Sequence, residues 1–471
     1  MLMLLRQFVE RRWVLVLATG VLGVRLLVAL AVVPPWQQPD EPSHLLFARI
    51  LAEQDTPDVG YVLRPAASDA TDVLVPTFLQ GASFRTRRAD PGLERELLTS
   101  MAEHGWWRYY GRPQPSPLPT SLTEAGLTVV DSGPTLYYVT AAWVLRAFDV
   151  TSLLGQLYVL RWISALLGIA TLWCGWAGTR KLFGVQLADL TALLLSVLPQ
   201  FALVSTGVSP GPLINLCGAI FWWQTAVLFT GERSVRTVGL VWLVALAGLL
   251  TKRAGIPLGV MAAGVTVLAF VRSWWTGTFK VRGLVAASAA MLVLAVGVVV
   301  LLPGEVERIL RTLWVTVTSR SMNPESASLE YFERFTWTLL DSAWFYAGWM
   351  RYPAPISWTW LVRGLMVVSL LGLGVAAWRH RMRPSLPVVI AFGLVAVQVA
   401  SIYAVHFRLH VGPQGQYLFP VLAPMLALFW IGLRGWWPVR RWPVLAAGLI
   451  TTVILFDLVG WSAVLIPLYV G

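Results

Sequence analysis

Charge is scarce in this sequence. Asp, Glu, Lys and Arg make up 13% of its 471 residues, about half the roughly 25% that soluble domains carry. That shortage excludes an ordinary chain of two or three soluble domains, which the length alone would suggest. Cysteine is nearly absent. Its two copies, Cys174 and Cys217, both lie inside apolar runs, which excludes a disulfide framework and a cysteine-based metal site and leaves two buried thiols. Basic residues interleaved with aromatics in a soluble patch are also lacking, so the net charge of +12 does not point to nucleic acid.

Long apolar runs are what the chain has instead. The run from Trp13 to Val33 contains one charge, Arg25, and about 20 residues of helix suffice to cross the hydrocarbon. Runs of this kind recur at 13–33, 159–178, 186–205, 211–230, 237–251, 256–271, 283–302, 358–377, 386–404, 417–433 and 443–460. The expectation is an all-α polytopic membrane protein, a single integral membrane domain over 1–471 with about eleven transmembrane helices. The first run leads into Pro34-Pro35-Trp36 rather than a small-residue cleavage site, which predicts an uncleaved helix.

The segment 134–148 is apolar but short, and suits a helix lying at the membrane surface. Charge decides how it lies. With 134–148 on the surface, six consecutive segments fall on one side: Arg6/Arg11/Arg12, Arg180/Lys181, Arg233/Arg236, Arg272/Lys280/Arg282, Arg379/Arg381/Arg383 and Arg434/Arg440/Arg441. If it crossed, five of the six would move outside, against the positive-inside rule. The expected N-terminus is therefore cytoplasmic, and the protein is expected in a bacterial inner membrane.

Two long segments, 34–158 and 303–357, then face outward. The first is acidic and carries the proline-rich stretch 113–119; the second mixes charges with Trp337, Trp344, Phe345, Tyr346 and Trp349. Neither has a sustained periodic core, so short helices packed on the membrane surface are expected, and loops of this length are usually functional. Most of the 25 tryptophans, such as Trp274-Trp275 and Trp436-Trp437, sit near run ends as an interfacial belt would.

The sharpest chemical signal follows the first helix, in Pro34-Pro35-Trp36-Gln37-Gln38-Pro39-Asp40-Glu41-Pro42-Ser43-His44. Pro42 fits the start of a new helix with Glu41 as its N-cap, and His44 then shares a face with the two acids. Such a pair suits general-base work or a divalent cation; the alternative is a solvated pair that caps the helix. Lys252 and Arg253 lie in a short outer hairpin, against the positive-inside trend, where they could hold a lipid-linked phosphate or reach lipid headgroups. Arg408 is an external cation of the same kind. His406 and His410 have a metal-like spacing without an evident third ligand. Arg25 is expected to pair with an acid of the bundle.

An acidic pair just outside the first helix, a long external loop and many further helices resemble the GT-C superfamily of membrane glycosyltransferases, which includes protein O-mannosyltransferases and the aminoarabinose transferases of lipid A. The wording is similar to a large group of bacterial membrane proteins in that superfamily with a Pro-Asp-Glu-Pro-x-His signature. Gly133-Pro134-Thr135-Leu136-Tyr137-Tyr138 resembles the opening of the family's juxtamembrane helix, and Leu198-Pro199-Gln200-Phe201 the outer end of its third spanning helix. Leu250-Thr251-Lys252 resembles its Leu-Thr-Lys, and Gln414-Gly415-Gln416-Tyr417-Leu418-Phe419-Pro420 its Gln-Gly-Arg-Tyr-x-x-Pro.

The resemblance implies transfer of a sugar from a polyprenyl-phosphate donor to a glycan, lipid or protein acceptor at the outer face. Asp40 and Glu41 would be the catalytic acids. Lys252, Arg253 and Arg408 would hold the donor phosphate, while His44, Tyr137, Tyr138, His406, Gln416 and Tyr417 would bind or orient substrate. Two departures bear on this. Ser209-Pro210-Gly211-Pro212 lacks an acid that relatives carry near this helix, and Gln416 replaces their Arg, which puts a divalent-metal cofactor in question. A transporter or flippase, or a non-catalytic binder of a lipid-linked glycan, are the alternatives; no internal repeat supports transport.

The topology is checked by cysteine labelling in whole cells. Ser116→Cys should react with a membrane-impermeant maleimide, and Arg383→Cys only after permeabilisation; the reverse pattern would overturn the assigned orientation.

Overall fold

The computed structural model describes residues 2–53, 61–64, 85–88, 91–109, 111–127, 136–231, 234–276, 328–348, 351–379, 385–407, 412–437 and 441–470. These residues are overwhelmingly helical. Two two-stranded pairings, Tyr61–Arg64 with Arg85–Arg88 and Tyr346–Ala347 with Tyr352–Pro353, are the only strands among them. Eight helices are long and apolar enough to cross a membrane: Arg12–Val32, Leu153–Phe183, Gly211–Thr230, Ile256–Trp275, Ile356–Arg379, Leu386–Val405, Gly415–Trp436 and Val444–Tyr469. Val185–Val197 and Val235–Thr251 are shorter apolar helices. The run expected at 283–302 lies outside the described residues, as does the start of the 303–357 segment.

The run 186–205, expected as one span, is two helices. Val185–Val197 ends at Leu198, whose backbone is extended, and Pro199–Val204 follows. Proline has no N–H to continue the helix and pushes the residue before it out of helical geometry. The break frees carbonyls, and Arg25 of the first helix donates through Nη1 to those of Ser196 and Leu198. The same guanidinium forks onto Asp457 of the last long helix, at 2.7 and 2.6 Å, and Trp461 donates to that carboxylate from 3.1 Å. Three elements remote in sequence are thus tied at one buried point. The last helix also runs past the expected 443–460, continuing through the π-helical turn Gly460–Leu465 to Ile466–Tyr469.

Helix contacts elsewhere use small residues, as bundles in lipid do. Ile356–Arg379 and Leu422–Trp436 approach so closely that a Cβ on Gly432 would stand 2.1 Å from the Ser369 carbonyl. Ser369 donates to the Phe429 carbonyl across the same seam. The opposite face of Ile356–Arg379 leaves Val367, Val368, Leu370 and Leu371 exposed, as a hydrocarbon-facing surface should be.

The segment after the first helix builds more than surface helices. Trp36, Leu45, Phe47, Leu97, Met101, Trp106, Tyr138 and Leu145 form one buried cluster with Leu153, Leu157 and Leu160 of a bundle helix. Its members come from stretches far apart in sequence, so no local periodicity announces it. Leu136–Phe148, the expected surface helix, is 13 residues long and packs Tyr138 against Phe47 of Glu41–Ala52. Leu329–Ser342 is the amphipathic helix of the second segment. Its Tyr331, Phe332 and Phe335 meet Tyr403 and Phe407 in a group of five aromatic rings.

Arg25→Met should destabilise the fold by about 3–5 kcal/mol, because Asp457 is left buried and unpaired. Arg25→Met with Asp457→Leu should recover most of that loss. Thermal unfolding of the detergent-purified protein measures both; an unchanged unfolding temperature in the single variant would show that the pair is not structural.

Candidate functional site

The seven residues between Val33 and Glu41 are curled around one carboxylate. Glu41 is fully buried. Arg161 of Leu153–Phe183 grips it with Nε at 2.9 Å and Nη2 at 2.7 Å, a bidentate pairing that fixes direction as well as charge. The backbone N–H groups of Trp36 and Val208 donate to the remaining lone pairs, at 3.1 and 3.2 Å. Arg161 also caps the end of the first helix, donating to the carbonyls of Val33 and Pro34. One ion pair therefore joins the first helix, the loop, the second helix and the start of the fourth bundle segment.

That arrangement separates two acids that look alike in sequence. Asp40, not Glu41, occupies the N-cap position of Glu41–Ala52, and Glu41 is the first helical residue. Asp40 does not cap with its side chain, and its backbone is left-handed, φ 57°. Such a conformation costs energy in an L-residue and persists only where the surroundings impose it. Trp36, at φ 71°, is the second strained residue of the loop, and its indole is held by Ser100. With Glu41 anchored inward, the turn points Asp40 into a cavity of about 200 Å³.

Five amides line that cavity, Gln37, Gln38, Gln200, Gln414 and Gln416, together with Ser209 and the rings of Tyr346, Tyr417 and Tyr469. Among the described residues Asp40 and Lys252 are its charged side chains. Lys252 follows the helix Val235–Thr251 in extended conformation, its carbonyl accepts from Gly255 to close the hairpin, and its ammonium lies 5.5 Å from the Tyr417 ring centroid. Burial pushes the Asp40 carboxyl above its ordinary range while the Lys252 charge pulls it back, and burial lowers Lys252 in turn. Among the described residues no hydrogen-bond donor reaches the Asp40 carboxylate.

His44 also faces the cavity. Burial, helped by the Lys252 charge, takes its pKa down to about 3, so the ring is neutral at physiological pH. Its Nδ1 shares a 2.7 Å hydrogen bond with the Tyr138 hydroxyl, and burial raises that phenol well above its usual range. Tyr137 and Tyr138 both sit in the buried cluster behind the site, edge-on to one another, and neither lines the cavity; Tyr138 reaches the site through His44.

The motif Gln414–Tyr417 is held by close backbone packing. A Cβ on Gly415 would stand 1.9 Å from the Ala343 nitrogen, so only glycine lets this strand of chain lie on the helix Leu329–Ser342. Ser342 accepts the Gly415 N–H at 2.8 Å, and Gln398 donates to the Tyr417 carbonyl. Gln416 then reaches the cavity and donates to the Gln414 side-chain carbonyl. Arg408 lies outside the described residues, and the side chains of Arg253 and His406 are likewise not described; Arg253 itself opens the short turn Arg253–Gly255.

Sequence reading misses Arg161, Gln37, Gln38, Gln200, Tyr346 and Tyr469. Arg161 sits inside an apolar run and carried a signal, since a cation at that depth needs a partner. The others come from four separate segments and have no local signature. A divalent ion does not fit these residues. Glu41 is neutralised by Arg161, Gly211 supplies no acid, and among the described residues Asp40 is the one carboxylate lining the cavity.

Glu41→Gln and Asp40→Asn should act in opposite directions on stability. Glu41→Gln leaves Arg161 buried without its counter-charge and should cost about 3–5 kcal/mol. Asp40 has a raised folded pKa, so its ionised form costs stability as pH rises through that value; Asp40→Asn should leave the unfolding temperature at pH 7 unchanged or higher. Equal losses in both variants would overturn the division of roles.

Comparison with known proteins adds no assignment: neither a family model nor a curated protein matches the chain.

Proposed function

We propose that this chain is a membrane glycosyltransferase of GT-C type, which moves a sugar from a polyprenyl-phosphate donor to an acceptor hydroxyl at the extracytoplasmic face of a bacterial inner membrane. The bundle crosses about eleven times, with the N-terminus in the cytoplasm, and the segments 34–158 and 303–357 roof the site outside. The observation that carries this reading is Asp40: a strained, unsolicited carboxylate aimed into a polar cavity opposite Lys252.

In the reaction, Asp40 takes the proton of the acceptor hydroxyl as that oxygen attacks the anomeric carbon. The bond from that carbon to the phosphate oxygen breaks, with inversion, and the electron pair leaves on the lipid phosphate. Lys252 meets the charge gathering on that phosphate, with Arg253 and Arg408 as further candidates from the same face. A raised pKa suits the base, since a more basic carboxylate accepts the proton more readily. Glu41 positions Asp40 through Arg161. His44, neutral and held by Tyr138, offers a hydrogen bond without competing for the proton.

A non-catalytic binder of a lipid-linked glycan is the second reading. The uncharged surroundings of Gly211 and Gln416 favour it, because fewer groups are there to stabilise a transition state.

Asp40→Asn should lower transfer from a polyprenyl-phosphate sugar by about 10²–10⁴-fold while donor binding persists. Turnover should rise with pH through the raised Asp40 pKa, and Lys252→Met, which removes the charge that lowers it, should move that limb to higher pH. Undiminished turnover in Asp40→Asn would sink the catalytic assignment, and donor binding with no turnover by the unmodified protein across acceptor classes would establish the binder.

A further inference from the structure

Two amides of the cavity, those of Gln200 and Gln38, are locked in orientation by the protein around them, and a third, that of Gln37, is not. Gln200 accepts the Tyr346 backbone N–H on Oε1 at 2.8 Å, which requires oxygen at that position and leaves the NH₂ as the unengaged end. Gln38 donates from Nε2 to the Leu203 carbonyl at 3.0 Å, which leaves its carbonyl oxygen unengaged. Gln37 is 3% exposed, and its Nε2 has no hydrogen-bond partner among the described residues. A buried donor without a partner is costly, and this one belongs to a residue that lines the cavity. The nitrogen is enclosed as the side chain stands, but with no hydrogen bond to fix it the Gln37 amide can turn either end toward the cavity that the residue lines.

The groups on offer suit one chemistry. A sugar hydroxyl both donates and accepts, and neighbouring hydroxyls are matched by amides that present an acceptor from Gln38, a donor from Gln200 and either end of the unfixed Gln37 amide. Aromatic faces, here Tyr346 and Tyr469, pack against the apolar faces of a sugar ring. Cations beyond Lys252 and acids beyond Asp40 are missing from the described lining, and both are committed to the reaction. Among the described residues a second phosphate, a uronate or an amino group would find no counter-charge of its own, and a buried unpaired charge is expensive.

We infer that Gln37, Gln38 and Gln200 form a neutral subsite that reads the hydroxyls of an uncharged sugar, so that the transferred group is a neutral hexose or pentose. This rests on the glycosyltransferase reading above and narrows its substrate class. Gln37 is the specificity determinant of the three, because its amide has no duty within the fold.

That distinction makes the test clean. The full chain in lipid nanodiscs is titrated with undecaprenyl phosphate alone and with undecaprenyl phosphates carrying glucose, mannose, galactose or arabinose. Two more probes carry aminoarabinose and galacturonate. At least one neutral sugar lipid should bind about tenfold tighter than the bare lipid phosphate. Gln37→Met should remove about three- to tenfold of that margin, the worth of one such hydrogen bond. It should leave bare lipid phosphate binding unchanged, and the unfolding temperature unchanged or higher. Gln200→Glu keeps the acceptor for Tyr346 while removing the donor, and should shrink the same margin. If bare lipid phosphate binds but the sugar adds nothing, or the charged sugars bind as tightly as the neutral ones, or Gln37→Met keeps the full margin, the subsite is overturned and the lipid-phosphate reading stands. If no probe binds, the glycosyltransferase reading falls and takes the subsite with it.

Discussion

The buried pair of Glu41 and Arg161 is the interaction on which the end of the bundle that holds the cavity depends. Two ions removed from water are tolerated only when each is fully hydrogen-bonded, and here they are: the carboxylate accepts from Arg161, Trp36 and Val208, and the guanidinium reaches the carbonyls that end the first helix. Replacing such a pair with apolar residues need not weaken a fold. Its value lies in direction. The bidentate fork sets the angle at which the chain leaves the first helix and re-enters a second one, and the left-handed backbone at Asp40 follows from that angle. A strained aspartate facing a cavity is thus a consequence of a satisfied glutamate beside it.

Adjacent acids usually share a fate. Here one is neutralised inside the protein and the other has no donor among the described residues, so the pair divides into an anchored half and a half that faces the cavity. The electrostatics of the cavity reinforce the division. Lys252 is the counter-charge Asp40 sees, yet burial works against the charged form of both. In the proposed reaction, two unlike charges held in this way would gain from a phosphate that compensates Lys252 and a hydroxyl that gives its proton to Asp40. His44 completes the setting by staying neutral.

Gly211 and Gln416 are neighbours. A Cβ on Gly211 would lie 3.7 Å from the Gln416 side-chain oxygen. The corner is held by uncharged groups, with Ser209 accepting from the Gly211 N–H and Gln416 donating to Gln414. A charge placed alone at either position would stand there without a partner among the described residues. This corner of the cavity is neutral without being apolar.

Much of this was legible in the residue order. Long apolar runs imply spanning helices because the hydrocarbon admits few other structures, and the brevity of 134–148 tells against a crossing. Arg25 inside an apolar run implies a partner, although only the packed bundle identifies it as Asp457. Asp40 and Lys252 stand out because charges near the membrane are costly and conspicuous. What sequence leaves open is which of two adjacent acids faces solvent, since that turns on Arg161, 120 positions away. It leaves open the break at Leu198-Pro199 as a landing place for Arg25. It is also silent on the amides, because glutamine is common and uncharged, and Gln37, Gln200 and Gln416 become one surface only when three distant segments converge. Composition and spacing determine the membrane class and the charged residues; the orientation of the acids and the neutral lining of the cavity belong to tertiary structure, where hydrogen bonds between remote segments decide which polar groups are satisfied and which are left for a ligand.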